Sequence, residues 1–133
     1  MPRFNPTPFS LLIHVAPDDI DEMGHVNNVV YVRWVQDVAA AHWDSVASAE
    51  LKSRYSWVVL RHEIDYRNPA YAGELIEGTT WVGEYHGARF ERFVLLTSKT
   101  SGKTLAEAKT MWCMLDAASG RPTRITPEVL EVL

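Results

Sequence analysis

Asp19-Ile20-Asp21-Glu22-Met23-Gly24-His25-Val26-Asn27-Asn28-Val29-Val30-Tyr31, continuing to Trp34, divides into two halves of opposite character. The first half is dense in side chains that exchange protons: two aspartates, a glutamate and a histidine. The second half turns apolar and stays so to about Trp43. Groups able to do chemistry thus stand against the start of a buried helix. The first turn of a helix offers unpaired backbone N–H groups and a partial positive charge to a developing anion.

Within the apolar half, Tyr31, Trp34, Val35, Val38, Ala41 and His42 recur at spacings of three and four, which predicts a helix over residues 28–43. Val29, Val30 and Val32 blur the period, and apolar residues all round imply a central helix enclosed by a curved sheet. Asn27 or Asn28 is placed to cap its start. Upstream, Phe9, Leu11, Ile13 and Val15 alternate with Ser10, Leu12 and His14, a first strand ended by Pro17. Residues 45–56 suit a loop or a short second helix. Residues 57–66 alternate, with Val58, Leu60, His62, Ile64 and Tyr66 on one face and Val59, Arg61, Glu63 and Asp65 on the other. Asn68-Pro69-Ala70 stops that strand. Further strands follow over 75–85, 89–99 and 104–115, joined at His86-Gly87 and Ser101-Gly102. Thr126-Pro127-Glu128 opens a short C-terminal helix, with Thr126 as cap and Pro127 in the first helical position. The order is one strand, a long helix and four long strands on short turns. That is an α+β class with an antiparallel sheet of five strands.

At 133 residues the chain, 1–133, reads as one domain. The 47% hydrophobic content is enough for a core, and 23% charged content is ordinary for a globule. A net charge of -4 with no run of Lys or Arg makes nucleic acid and anionic membrane poor candidates for the main partner, and neither is expected. One cysteine, Cys113, forms no internal disulfide and fits a reducing, cytoplasmic setting. Met1-Pro2-Arg3-Phe4-Asn5-Pro6 carries no leader pattern, and no stretch reaches the roughly 18 apolar residues of a membrane span. Five His and one Cys show no ligand-pair spacing, so no metal is expected. No glycine-rich phosphate loop appears, so no cofactor is implied. The five Trp are many for this length and suit a ligand cavity or a subunit contact.

Asp19-x-Asp21-x-x-Gly24-His25-Val26-Asn27-Asn28-x-x-Tyr31-x-x-Trp34, together with that order of elements, resembles the hotdog-fold thioesterases. Their 4-hydroxybenzoyl-CoA thioesterase branch is the nearest match. The His25-Val26-Asn27-Asn28 run is also similar to that of plant acyl-ACP thioesterases. Residues 64–74 look like the family's strand-to-strand corner, and Ala106 to Asp116 with Gly120-Arg121-Pro122 like its closing strand and tail. The resemblance spans nearly the whole chain. It implies a curved five-stranded sheet around one long helix and hydrolysis of an acyl-CoA to free acid and coenzyme A.

Thioester hydrolysis needs a carboxylate that activates water or attacks directly, and donors for the oxyanion. Asp21 matches the family's catalytic acid, as general base or nucleophile; otherwise it would brace the loop. The resemblance places the oxyanion donor at the backbone amide of Asn28, seven residues on. Gly24 permits a close approach or a positive φ. His25 matches a functional histidine of the plant branch, whereas benzoyl-type members place other residues there; in this chain it either orients substrate or water or packs structurally. Met23 departs from the plant branch, which carries an asparagine there, and this argues against an intact plant-type arrangement. Asp19 shapes the turn, and Asp37 stands where the plant branch has a glutamate, either as a second acid or on an exposed or interface position. Arg89 and Arg67 are candidates for the coenzyme's phosphates, and Tyr31 for the substrate. His62 reads as a hydrogen-bonded core histidine and Cys113 as inert.

The family joins two such units edge to edge, which implies a homodimer at least. Trp81, Tyr85, Phe90 and Trp112, expected on exposed sheet faces, suit a homotetramer. Two other functions fit the same fold: a non-catalytic acyl-CoA or aromatic-ligand binding module, and an acyl-thioester dehydratase or hydratase. Asp21 speaks against the first. The setting of His25, which lacks Pro-rich surroundings, speaks against the second.

Overall fold

Strand alternation in the sequence translates directly into a sheet. The computed structural model describes residues 7–133; residues 1–6, and with them the leader reading above, lie outside the described residues. β1 (Phe9–His14) turns its odd-numbered residues inward, as the alternation predicts. A single 3-10 turn (Pro17–Asp19) and the acidic loop lead into α1 (Asn28–Val46). A short α2 (Ala49–Arg54) delivers the chain to β2 (Tyr55–Tyr66). β3 (Leu75–His86), β4 (Arg89–Ser98), β5 (Thr104–Asp116) and α3 (Pro127–Val132) complete it. Thr126 caps α3 by accepting from the Val129 N–H.

The sheet order is β1-β3-β4-β5-β2, antiparallel throughout. β1 and β2 are consecutive strands at opposite edges, so the chain between them must cross the sheet. α1 makes that crossing over the inner face, and the corner at 67–74 returns the chain to β3. Gly78 of β3 lies under the crossing: a Cβ there would collide with the Val38 side chain. This is the hotdog architecture: a curved five-stranded sheet with one long helix laid against it and a short C-terminal helix.

Burial falls in two clusters. One, beneath the first half of α1, gathers Val26, Tyr31, Trp34, Val35, Val38, Ile76 and Leu96. The other, beneath its C-terminal end, gathers Leu51, Tyr55, Val82, Phe90, Met114 and Val129. The sheet covers only one side of α1. Val29 is 73% exposed, and Arg33, Gln36, Asp37 and Ala40 continue an uncovered stripe.

Two expectations about sheet faces need correction. β2 does not keep one alternation over its length. The pairing with β5 slips between Val59 and Arg61, so Leu60 is an extra residue, a β-bulge. Trp57 and Val59 point inward before it, His62 and Ile64 after it, while Val58 and Leu60 are exposed. A bulge reverses parity, and uniform alternation cannot anticipate that. Phe90 and Trp112, expected on exposed faces, lie opposite each other on the inner face. Phe90 belongs to the second core cluster because it shares parity with Val94 and Leu96. Trp81 is on the opposite face, stacked on Phe93 at 5.7 Å.

Candidate active site

The acidic loop is short, and its own backbone closes it. An isolated bridge pairs Ile20 with Val26. The Asp21 N–H donates to the His25 carbonyl at 3.0 Å, and the Gly24 N–H donates to the Asp21 carbonyl at 3.0 Å. This tight reversal requires φ +84° at Gly24, a value that L side chains rarely adopt. A Cβ at Gly24 would meet nothing within 4 Å, so conformation rather than space selects glycine there. Asp21 Oδ1 accepts from the Met23 N–H at 2.9 Å and lies 3.9 Å from His25 Nδ1. Its second carboxylate oxygen is left for other work. The side chains of Asp21 and His25 are partly open, 23% and 35% exposed.

Asp19 holds the loop to the helix. It is buried; Oδ2 accepts from the Ala16 N–H at 2.9 Å and Oδ1 from Arg33 Nη2 of α1 at 2.8 Å. Its carbonyl accepts from the Asn27 N–H. Asp19 therefore shapes the turn, as expected. Asn27 is the helix cap, its Oδ1 accepting from the Val29 N–H at 3.0 Å. Asn28 follows as the first helical residue, and its N–H has no carbonyl behind it within the helix. The loop thus presents a carboxylate and a helix N-terminal amide on neighbouring segments of one clamp.

Around this clamp, Val26 N–H donates to the Ala70 carbonyl, which ties the loop to the corner at 67–74. Tyr31 is buried there. Its hydroxyl accepts from the Ala70 N–H at 3.0 Å and donates to the Asn68 carbonyl at 3.4 Å. Burial, ahead of all other causes, raises its pKa. Tyr66 packs edge-on against Tyr31 and donates to the Asn28 carbonyl. Arg67 is exposed at the same corner, bonded to Glu107 at 3.0 Å. Asp21, Gly24, His25, Asn28, Tyr31 and Arg67 therefore share one end of the molecule. Arg89 does not: β4 separates it by nine residues, about 30 Å, from the end carrying Ser98.

His62 donates or accepts at Thr110 Oγ1, 2.8 Å away, and meets Gln36 Nε2 of α1 at 3.1 Å. Burial lowers its pKa, which fits the hydrogen-bonded packing role expected of it. Asp37 is exposed and paired with Arg33, and Cys113 is buried. Among the described residues no group of three or more His, Cys, Asp or Glu is arranged to hold a metal. No helix among them is long and apolar enough to cross a membrane.

A second polar cluster escaped the sequence reading. Arg92 is 7% exposed, in the middle of the inner face. Its Nη1 donates to His42 Nδ1 of α1 at 2.9 Å and to Thr80 Oγ1 of β3 at 3.1 Å, and Thr80 donates onward to the Phe93 carbonyl. Burial and then the charge of Arg92 lower the His42 pKa to about 4, so the ring is a neutral acceptor. Burial lowers that of Arg92 to about 10, which leaves it cationic at neutral pH. The signal was present: Arg92 falls between Phe90 and Val94 in the alternation of β4.

The fold and the loop together define the class, a hotdog protein with an acidic loop at the amino end of its long helix. Residues 15–133 match the thioesterase-like superfamily, and the chain belongs to it. It is a thioester hydrolase. Among characterised relatives, it is 23% identical to the long-chain acyl-CoA thioesterase FadM of Escherichia coli (strain K12), over 91% of this chain and 93% of that one. It is 33% identical over 73 residues to the chloroplastic acyl-acyl-carrier-protein hydrolase FATB3 of Cuphea viscosissima, a match covering 55% of this chain and 18% of that protein's length. Among solved structures, Slr0204, a 1,4-dihydroxy-2-naphthoyl-CoA thioesterase from Synechocystis, superimposes with a TM-score of 0.79 at 16% identity, covering 94% and 93% of the two chains. That last likeness is one of fold.

Proposed function

We propose that this chain, a single domain, hydrolyses an acyl-CoA, using Asp21 as the working carboxylate and the Asn28 amide as an oxyanion donor. The clamp itself supports this assignment. One oxygen of Asp21 is held by the Met23 N–H, and the loop is bonded through Asp19 to the start of a helix whose first amide has no internal partner.

In the general-base form, Asp21 takes a proton from water as the oxygen attacks the thioester carbon. Negative charge builds on the carbonyl oxygen, where the Asn28 N–H and the positive end of α1 stabilise it. Collapse of the tetrahedral adduct breaks the C–S bond; the thiolate leaves and takes up the proton, giving acid and coenzyme A. In the nucleophilic form, an Asp21 oxygen attacks first and water then splits the mixed anhydride. His25, within 4 Å of Asp21, is placed to orient water or substrate in either form. CoA as carrier is supported by the near full-length match to FadM and by the fold shared with Slr0204, both acting on CoA thioesters by name.

The active form is at least a homodimer. β2 is a twelve-residue edge strand, and beside it lie exposed Val58, Leu60 and Tyr66 and the uncovered stripe of α1. An edge of that length with apolar side chains is a template for pairing with a second copy. Arg67, at the corner of the loop's own chain, is assigned to the CoA phosphates. Arg89 serves the same purpose only for the loop of a partner copy. The Trp81–Phe93 stack on the outer sheet face provides for a tetramer.

The test is release of free thiol from a panel of short, long and aromatic acyl-CoAs. Turnover with at least one class is expected. Binding of these compounds without thiol release would instead assign the protein to the non-catalytic binding modules.

A further inference from the structure

Between the C-terminal half of α1 and the inner face of the sheet lies a cavity of about 290 Å³. Its walls are Trp43, Trp57, Val82, Phe90 and Trp112, and Arg92 borders it. It belongs to the second core cluster, not to the acidic loop: Ala40, at its rim, is twelve residues along α1 from Asn28, about 18 Å of helix rise. The volume is at the small end of ligand pockets and suits a ring or a short chain.

Two features of its lining are unusual for a structural void. Arg92 is a buried cation whose protein partners, His42 and Thr80, are neutral acceptors, both bound through Nη1. Among the described residues no carboxylate pairs with it, although burying a charge without a counter-charge costs several kcal/mol, on the order of a whole domain's margin of stability. The two acids in its lining are engaged elsewhere: Asp44 is exposed and tied to Lys52 at 3.2 Å, and Glu91, the neighbour of Arg92 on β4, pairs with Lys109 at 3.2 Å. In addition, the indole N–H groups of Trp57 and Trp112 are buried and find no acceptor among the described residues. Buried donors of this kind are ordinarily satisfied. The residues around this apolar, aromatic-walled space thus include a buried cation without a counter-charge and two tryptophans whose indole N–H groups lack an acceptor.

We infer that this cavity is a second binding site, for a small carboxylic acid with an apolar or aromatic body, whose carboxylate pairs with Arg92. The acid supplies the counter-ion that the guanidinium lacks, through Nη2 and Nε in the fork geometry that favours carboxylates. Its apolar body replaces water against the tryptophans. An amide of the same shape would fill the space and leave the charge uncompensated. Binding at this cavity requires neither Asp21 nor hydrolysis.

The cavity's tryptophans provide the readout. Intrinsic fluorescence of the full chain, checked by calorimetry, is titrated with benzoate and octanoate and with benzamide and octanamide. At least one carboxylate should bind saturably and 10-fold or more tighter than its amide, equally in wild type and in Asp21→Asn. Arg92→Met should abolish the preference for the acid. Ala40→Trp, on the uncovered stripe of α1 and outside the core, should block the mouth and weaken acid and amide alike, with the mass checked by light scattering so that loss of a second copy is not mistaken for a blocked mouth; it decides the matter if Arg92→Met fails to fold. Equal affinity for acid and amide, no saturable binding, loss of binding in Asp21→Asn, or acid binding unchanged by Ala40→Trp would each overturn the assignment.

Discussion

His42 lies 2.9 Å from a guanidinium and accepts a hydrogen bond from it, which only the neutral ring can do. Its pKa of about 4 in the fold contrasts with about 6.5 in the unfolded chain. The unfolded state therefore takes up a proton that the folded state refuses. Stability should be constant above about pH 6.5, fall as the pH drops towards 4, and level off below. The loss attributable to this ring is up to about 3 kcal/mol. Urea unfolding at pH 7, 5.5 and 4.5 measures it, and the slope should be markedly shallower in His42→Gln. An equal slope in that variant would place the acid sensitivity elsewhere. Arg92 and His42 were not legible as a pair. Their positions 50 residues apart become neighbours only when α1 crosses β4, and a buried cation without a carboxylate leaves no charge pattern to read.

Elements were more legible than contacts. β1, β3, β4, β5 and α3 follow from period-two alternation and turn residues, and the observed bounds fall close to the expected ones. α1 runs three residues beyond Trp43, to Val46, because Ser45 and Val46 still fit the helix and Ala47 closes it. The acidic loop was legible too: Gly24 adopts the positive φ and Asn27 the cap. Hidden were the bulge at Leu60, which no residue type announces, and the open side of α1, whose apolar residues Val29 and Ala40 look buried in sequence. The contact between α1 and β3 is a test at this scale. Gly78→Ala forces its new methyl into Val38 and should destabilise by roughly 1–3 kcal/mol. Adding Val38→Ala should recover part of that loss, although Val38→Ala alone destabilises. Thermal unfolding of the two single variants and the double variant supplies the cycle. Strict additivity would mean that the two side chains do not oppose each other.

At the scale of the molecule, the two ends of α1 have different duties. The amino end carries the carboxylate and the free amide; the carboxyl end roofs the cavity beside Arg92. Both lie along the side that β2 and the open stripe of α1 leave uncovered. A second copy meeting this side would shield Val29, Val58 and Leu60. Leu60→Lys puts a charge on the bulge of the edge strand, where it should leave the fold intact and halve the mass seen by light scattering. Activity should fall with the mass if the partner contributes Arg89. A monomeric wild type, or a Leu60→Lys variant of unchanged mass, would remove β2 from the interface.

In the proposed reaction Asp21, on the loop that leads into the amino end of α1, performs the hydrolysis. Steady-state thiol release by Asp21→Asn, on the best acyl-CoA of the panel, tests it most directly. The substitution keeps the acceptor oxygen for the Met23 N–H and removes only the base or nucleophile. Its kcat should fall roughly 10²–10⁴-fold, with the mass and thermal midpoint close to those of the wild type. Turnover by Asp21→Asn at the wild-type rate would contradict that role of Asp21.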